Sequence, residues 1–68
     1  EAGLPQQALA ELERVLRASP GLLDAAVQIG VVLYSLGRSD EAVARWQAVL
    51  AREPGRRDAA MYLRLLGA

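Results

Sequence analysis

The chain has 68 residues and a formal charge of zero, from eight arginines and eight acidic residues, and it contains no cysteine, histidine or lysine. This composition excludes a disulfide framework, lacks the commonest metal ligands and the usual general base, and argues against a nucleic-acid partner, which favours a basic excess. No apolar run approaches the roughly 18 residues of a membrane span, so we expect one small domain of marginal stability over residues 1–68.

The first predicted helix covers residues 5–18. Its apolar residues recur at helical spacing, and its charged residues take the opposite side. Pro5 suits the first helical position, where its missing N–H group costs nothing. The segment Ser19-Pro20-Gly21 ends the helix, because residues before a proline avoid the helical region. The apolar positions are Leu4, Ala8, Leu9, Leu12, Val15 and Leu16.

The second predicted helix covers residues 22–36 and is apolar on two sides. A helix of this kind is covered by neighbours on both sides. Gly30 costs about 1 kcal/mol relative to alanine inside a helix, so we expect a close approach of the third helix there, near Ala42. Gly37 follows this helix at the position where a residue with a left-handed backbone conformation commonly ends a helix. One stripe contains Leu22, Ala26, Ile29, Gly30, Leu33 and Leu36, and the other contains Val27, Val31 and Tyr34.

Two further helices are predicted, over residues 40–52 and 57–66. Ser39 is expected to cap the first of them. The segment Glu53-Pro54-Gly55 separates the two, and Gly67 marks the end of the second. The sequence therefore predicts an all-α fold of four antiparallel helices. The expected core residues are Ala42, Val43, Trp46, Val49 and Leu50 on the third helix, and Ala60, Leu63 and Leu66 on the fourth.

The glycines and prolines that end the helices, together with several apolar positions within them, recur at a spacing of 34 residues. A period of this length is typical of stacked helical repeats. We therefore interpret residues 1–22 as the second half of one repeat, 23–56 as a complete repeat, and 57–68 as the start of another. The corresponding positions are Gly3 and Gly37, Ala8 and Ala42, Leu12 and Trp46, Val15 and Val49, Pro20-Gly21 and Pro54-Gly55, and Asp24-Ala25-Ala26 and Asp58-Ala59-Ala60.

This 34-residue helix-turn-helix unit resembles the tetratricopeptide repeat. Gly30, Ala42, Trp46 and Pro54 match the motif of that family, and Ile29 is a close substitute for its leucine. The sequence departs from the motif where Ala26 replaces a tryptophan, Leu33 an aromatic residue and Val49 a small one, and these changes affect packing more than fold. The resemblance implies a fragment of an α-solenoid that holds a protein partner.

No set of residues indicates catalysis. The carboxylates are scattered, and Asp40 and Glu41 point about 100° apart on a helix. No base is available to activate a serine. We therefore predict that the protein is not an enzyme and has no catalytic, cofactor or metal site. The pair Arg56-Arg57 either binds an anion at the start of the fourth helix or is part of an ordinary solvated loop.

The resemblance implies that the first helix of each repeat lines a concave groove. Family members that hold a peptide carboxylate there use lysine, asparagine and arginine, whereas this chain has Val27 and Val31 at two of these positions and no lysine. We expect an apolar or amphipathic peptide or helix as partner. Alternatively, the same residues pack against another helix of this chain or of a second copy, as in a homodimer. The candidate contact residues are Asp24, Val27, Gln28, Val31, Tyr34, Asp58, Met61, Tyr62 and Leu65.

The origin and location of the chain are less constrained. The use of arginine alone among basic residues, with abundant alanine, glycine and leucine, is typical of a GC-rich bacterial genome. The sequence begins within a repeat and without methionine, so we expect it to be a piece of a longer protein. The expected location is the cytoplasm, with export of the longer protein left open.

Overall fold

This computed structural model describes residues 4–68 of the chain. These residues form four helices joined by short turns. They are α1 (Pro5–Ala18), α2 (Leu23–Ser35), α3 (Ser39–Arg52) and α4 (Arg57–Leu65). The predicted all-α class is confirmed, and every predicted helix end agrees to within one residue. Gly3, the expected equivalent of Gly37, lies outside the described residues.

The helices stack in chain order. α2 packs against α1 on one side and α3 on the other, and α4 packs against α3. The prediction that α2 is covered on two sides is therefore confirmed. α1 contributes only partly buried side chains, of which Leu9, Leu12 and Leu16 contact the core. The core consists of Ala26, Val27, Ile29, Leu33, Ala42, Trp46, Val49, Ala59 and Leu63.

The 34-residue period is visible in the backbone hydrogen bonds of the two turns that follow α1 and α3. The N–H groups of Ser19 and Glu53 donate to the carbonyl four residues earlier, at 2.9 and 2.8 Å. The carbonyls of the same two residues accept from the N–H group three residues later, at 2.9 and 3.1 Å. The two turns thus have the same hydrogen bonds. The next helix begins four residues after Ser19 in the first case and four residues after Glu53 in the second.

Two glycines end α2 and α4 in the same way. Gly37 has φ of 79°, and the N–H of Arg38 donates to the Leu33 carbonyl at 2.9 Å, which is a Schellman motif. Gly67, with φ of 72°, closes α4 with the same pair of bonds. Both predicted stops are confirmed. Because Gly67 comes early, α4 has nine residues against thirteen in α2, about one turn less.

The predicted cap at the start of α3 is wrong. Ser39 is itself the first residue of the helix, and no side chain caps α3. Capping requires the non-helical backbone of the residue before the helix, and that residue is Arg38. Its guanidinium forms two 2.8 Å hydrogen bonds with Glu41 in the first turn. These bonds lower the pKa of Glu41.

An ion pair joins α1 to α3. Arg45 Nη2 lies 3.0 Å from Glu13 Oε2, and both side chains are partly buried. The two residues stand 32 positions apart in the sequence, and the structure brings them together across the stack. Exposed pairs of this kind contribute little, typically up to about 1 kcal/mol, so this bond orients α1 more than it stabilises the fold.

Candidate protein-binding groove

A groove of about 210 Å³ lies between α2 and α4, with α3 at its base. We call it the α2–α4 groove. Apolar side chains make up most of its lining, so it favours apolar groups over polar ones. The lining residues are Val31 and Tyr34 from α2, Trp46 from α3, and Tyr62, Leu65 and Leu66 at α4 and its end.

Trp46 forms the floor of the groove and is held in one orientation. Its Nε1 donates a 3.1 Å hydrogen bond to the Val27 carbonyl, which satisfies the polar atom of a buried ring. Its ring stacks on that of Tyr62, with centroids 4.8 Å apart and planes 17° from parallel. The prediction that Trp46 is a core residue between helices is confirmed. It also contributes to the lining of the groove.

The atoms nearest to Gly30 on α3 belong to Trp46, whereas the sequence predicted the small residue Ala42 there. A Cβ atom at Gly30 would lie 2.2 Å from Trp46 Nε1, far inside van der Waals contact. The expected close approach of α3 is confirmed, and its nearest point is Trp46 and not Ala42. The physical reason is size, since the flat indole can lie against the helix backbone only where no side chain intervenes.

The two walls of the groove expose large apolar side chains. Tyr34 on α2 is half exposed, and Leu65 on α4 is 73% exposed. Val31 and Tyr62 lie deeper and are partly buried. An exposed leucine alone is ordinary on a protein surface, but here it stands beside a tyrosine over a concave apolar floor. This combination is typical of a contact surface.

The structure brings four of the nine predicted contact residues together in the groove, namely Val31, Tyr34, Tyr62 and Leu65. Val27 does not belong with them. It is 1% exposed, packs in the core and accepts the Trp46 hydrogen bond through its carbonyl, so it offers no surface to a partner. Gln28 and Met61 are exposed but do not line the groove.

Asp24 and Asp58, the remaining predicted contact residues, bind Arg56. We call Asp24, Glu53, Arg56 and Asp58 the Arg56 cluster. The guanidinium pairs with Asp24 of α2, with Asp58 of α4 at 3.0 Å, and with Glu53 after α3 at 3.2 Å. It therefore joins the starts of the two groove walls. Neither an anion site nor a plain solvated loop describes Arg56, since three carboxylates already surround it.

The electrostatics of the Arg56 cluster follow from these contacts. Hydrogen bonds that Arg56 donates to Asp58 and, next in effect, to Asp24 raise the pKa of Arg56 above its already high ordinary value. The bond from Arg56 lowers the pKa of Asp58 below 3.8, and the N–H of Ala59 contributes at 2.7 Å. Arg56 and Asp58 are therefore both charged at neutral pH, and the cluster places one guanidinium against three carboxylates, so acidic groups are in excess.

Sequence reasoning missed two residues of the groove. Trp46 and Leu66 were predicted as core, and each is also part of the lining. For Leu66 the available signal was its position four residues after Tyr62, which places both on one side of a helix. For Trp46 the sequence contained no such signal, because the residue falls on the core-facing side of α3.

No helix within residues 4–68 is long and apolar enough to cross a membrane. Within the same residues, no group of three histidine, cysteine or acidic side chains is arranged to hold a metal ion. The carboxylates of the Arg56 cluster converge, but they converge on a guanidinium.

Stacked helical hairpins with an apolar groove between corresponding helices define a helical-repeat protein of the interaction class. A family model described as tetratricopeptide repeat matches residues 1–67, and the chain belongs to the tetratricopeptide repeat family. Repeats of this family generally mediate protein–protein interactions and are generally not enzymes. No curated protein and no solved structure matches the chain.

Proposed function

We propose that this chain is one domain, built of a half repeat, a full repeat and a half repeat, that binds an apolar or amphipathic peptide or helix in the α2–α4 groove. The observation that carries the proposal is the exposure of Tyr34 and Leu65 above the fixed ring of Trp46. A partner that covers them removes apolar surface from water at about 25 cal/mol per Å².

The size of the groove supports a peptide anchor as its occupant. Its 210 Å³ is below the roughly 300–1,000 Å³ of typical small-molecule sites. A groove of this volume accepts one or two apolar side chains of a longer segment. The rest of the segment would extend along α2 and α4, where Gln28 and Met61 are exposed.

Charge supports an apolar contact. The lining contains no charged residue, and the Arg56 cluster lies at the other end of the two walls, in the first turns of α2 and α4. A groove of this kind has no group with which to bind a peptide carboxylate. Specificity would then come from shape and from the hydroxyl groups of the two lining tyrosines, Tyr34 and Tyr62.

Self-association is the second candidate function. Leu65 is 73% exposed and Met61 is 41% exposed, which is unusual for two large apolar residues on so short a helix. A homodimer that pairs two copies of α4 would cover both. The cytoplasmic location and the bacterial origin stay predictions alongside either function.

The groove is tested with peptides selected for binding from a display library. We expect the selected peptides to share apolar residues at helical spacing, and Leu65→Glu or Tyr34→Ala to weaken their binding at least tenfold. Ala44→Glu, on the exposed side of α3, is the matched control and should bind normally. Circular dichroism should show equal helicity in all variants. Native affinity in Leu65→Glu would rule out the groove as the binding site.

A further inference from the structure

Each wall of the α2–α4 groove has a carboxylate on the same side of its helix. On α2, Asp24 and Val31 are seven residues apart, and on α4, Asp58 and Leu65 have the same separation. Residues seven apart lie on one face of a helix, two turns or about 10 Å along its axis. The two carboxylates therefore lie at the starts of the same helix faces whose later residues line the groove.

The acidic end has more negative charge than its own arginine neutralises. Arg56 is the one guanidinium among the three carboxylates of the Arg56 cluster, and its side chain is only 18% exposed. Asp58 directs both of its carboxylate oxygens to Arg56. The Asp24 side chain is 77% exposed and accepts from Arg56 through Oδ1 alone among the described residues, so Oδ2 is available to a further donor.

No basic residue on the groove side of the two walls offsets this excess. α2 contains no arginine. In α4, Arg57 and Arg64 stand one 34-residue period after Leu23 and Gly30, and those two positions face neighbouring helices. The groove side is thus apolar along most of its length and acidic at its start. Charge complementarity then favours a partner segment with apolar residues and a cation.

We propose that the segment bound in the groove carries a lysine or arginine that pairs with Asp24 while its apolar residues fill the groove. This inference rests on the proposed peptide-binding function and specifies the charge pattern of the partner. The separation of about 10 Å between the carboxylate and the groove sets the spacing. The basic residue stands about seven positions from the apolar anchor in a helical partner, or about three positions in an extended one.

The peptides selected for groove binding test this charge pattern first. We expect them to share a lysine or arginine at one of these spacings, and their affinity should fall as salt is added. The Debye length shortens from about 30 Å at 0.01 M salt to about 3 Å at 1 M, so the ion pair is screened. Peptides that lose binding to Leu65→Glu but show no enriched basic residue would overturn this inference and leave the groove in place.

A double-mutant cycle then assigns the partner charge to Asp24. Replacement of the basic residue of a selected peptide by glutamine should weaken its binding to the parent chain about two- to fivefold, the range of an exposed ion pair. The same replacement should have no effect on binding to Asp24→Asn. Glu11→Gln, at an exposed carboxylate of α1, is the matched control and should retain the full effect. Circular dichroism should show equal helicity, and Asp24→Ser replaces Asp24→Asn if that variant fails to fold.

Three other outcomes overturn the proposal. In the first, the peptide charge has the same effect on binding to the parent chain and to Asp24→Asn. In the second, Asp40→Asn removes the effect instead, since Asp40 lies beside Tyr34 at the opposite end of the groove. In the third, sedimentation shows a dimer that Leu65→Glu dissociates, which makes a second copy the occupant. A library that yields no groove-binding peptide removes the proposed function together with this inference.

Discussion

The indole of Trp46 contacts three parts of the molecule at once. It donates to the Val27 carbonyl, lies against the backbone at Gly30 and stacks on Tyr62. These contacts come from α2 and α4, so a single side chain of α3 fixes the distance between the two groove walls. Its burial follows from its position in the repeat, but its choice of partners depends on the helix crossing.

Replacement of Trp46 by alanine should nearly unfold the protein. Such a change costs about 3–5 kcal/mol, whereas a chain of this size has a total stability of roughly 3–10 kcal/mol. Urea unfolding followed by circular dichroism measures the loss. Tyr34→Ala, at a half-exposed site, is the control and should stay within about 1 kcal/mol of the parent. A Trp46→Ala variant as stable as this control would mean that the indole is not part of the core.

Replacement of Gly30 by leucine should destabilise the fold through overpacking. The new side chain would collide with an indole that is buried and hydrogen-bonded, which costs on the order of 1–3 kcal/mol. Gly55→Leu is a matched control, because a Cβ atom there meets nothing within 4 Å. Equal unfolding midpoints for the two variants would show that α2 and α3 pack differently at this point.

At the scale of helices, the Arg56 cluster is the contact that relates α2 to α4. The two helices belong to successive repeats, and the guanidinium binds a carboxylate in the first turn of each. The acidic residues also favour the positive ends of the helix dipoles. The equivalent position in the preceding turn is Leu22, so the cluster occurs only once among the described residues.

Loss of Arg56 should make the fold less stable and less sensitive to acid. The pKa of Asp58 is lowered in the folded state, so its contribution is full above its ordinary value of 3.8 and is lost as pH falls below it. Arg56→Ala should lower the melting temperature at pH 7 and reduce its decline between pH 5 and pH 2. Arg57→Ala, at an exposed site, is the control. Parallel pH curves for Arg56→Ala and the parent would contradict this assignment.

For the whole molecule, stability should be uneven along the stack. α2 contributes six buried residues and α3 three, while α1 contributes none. Regions with few buried apolar contacts open most readily. The centre of the stack therefore carries the core, and α1 depends on partly buried leucines and one ion pair for its attachment.

Amide hydrogen exchange should reveal this gradient. We expect the slowest exchange in α2 and α3, faster exchange in α4, and the fastest in α1. The measurement is made by NMR at low protein concentration, where copies do not associate. A repeat at high concentration should then slow exchange most in α4 if two copies pair through that helix. Uniform protection of all four helices would show that the chain unfolds only as a single unit.

Helix positions and the repeat follow from local physical chemistry that the sequence contains in full. Proline and glycine stop helices through their own backbone preferences, and apolar spacing selects one side of each helix. Hence the first and last residues of α1 were both predicted correctly, and Gly37 and Gly67 were predicted to end α2 and α4. The burial of Trp46 was predictable for the same reason, since it falls on the apolar side of α3.

Contacts between distant residues were decided only by the tertiary structure. Val27 and Val31 belong to one stripe of α2, yet α3 buries the first and leaves the second in the groove. The pairing of Gly30 with Trp46 and the binding of Asp24 by Arg56 likewise join residues far apart in the chain. Periodicity determines which side of a helix faces inward, whereas the crossing of two helices determines which atoms meet, and that crossing depends on the packing of all the side chains between them.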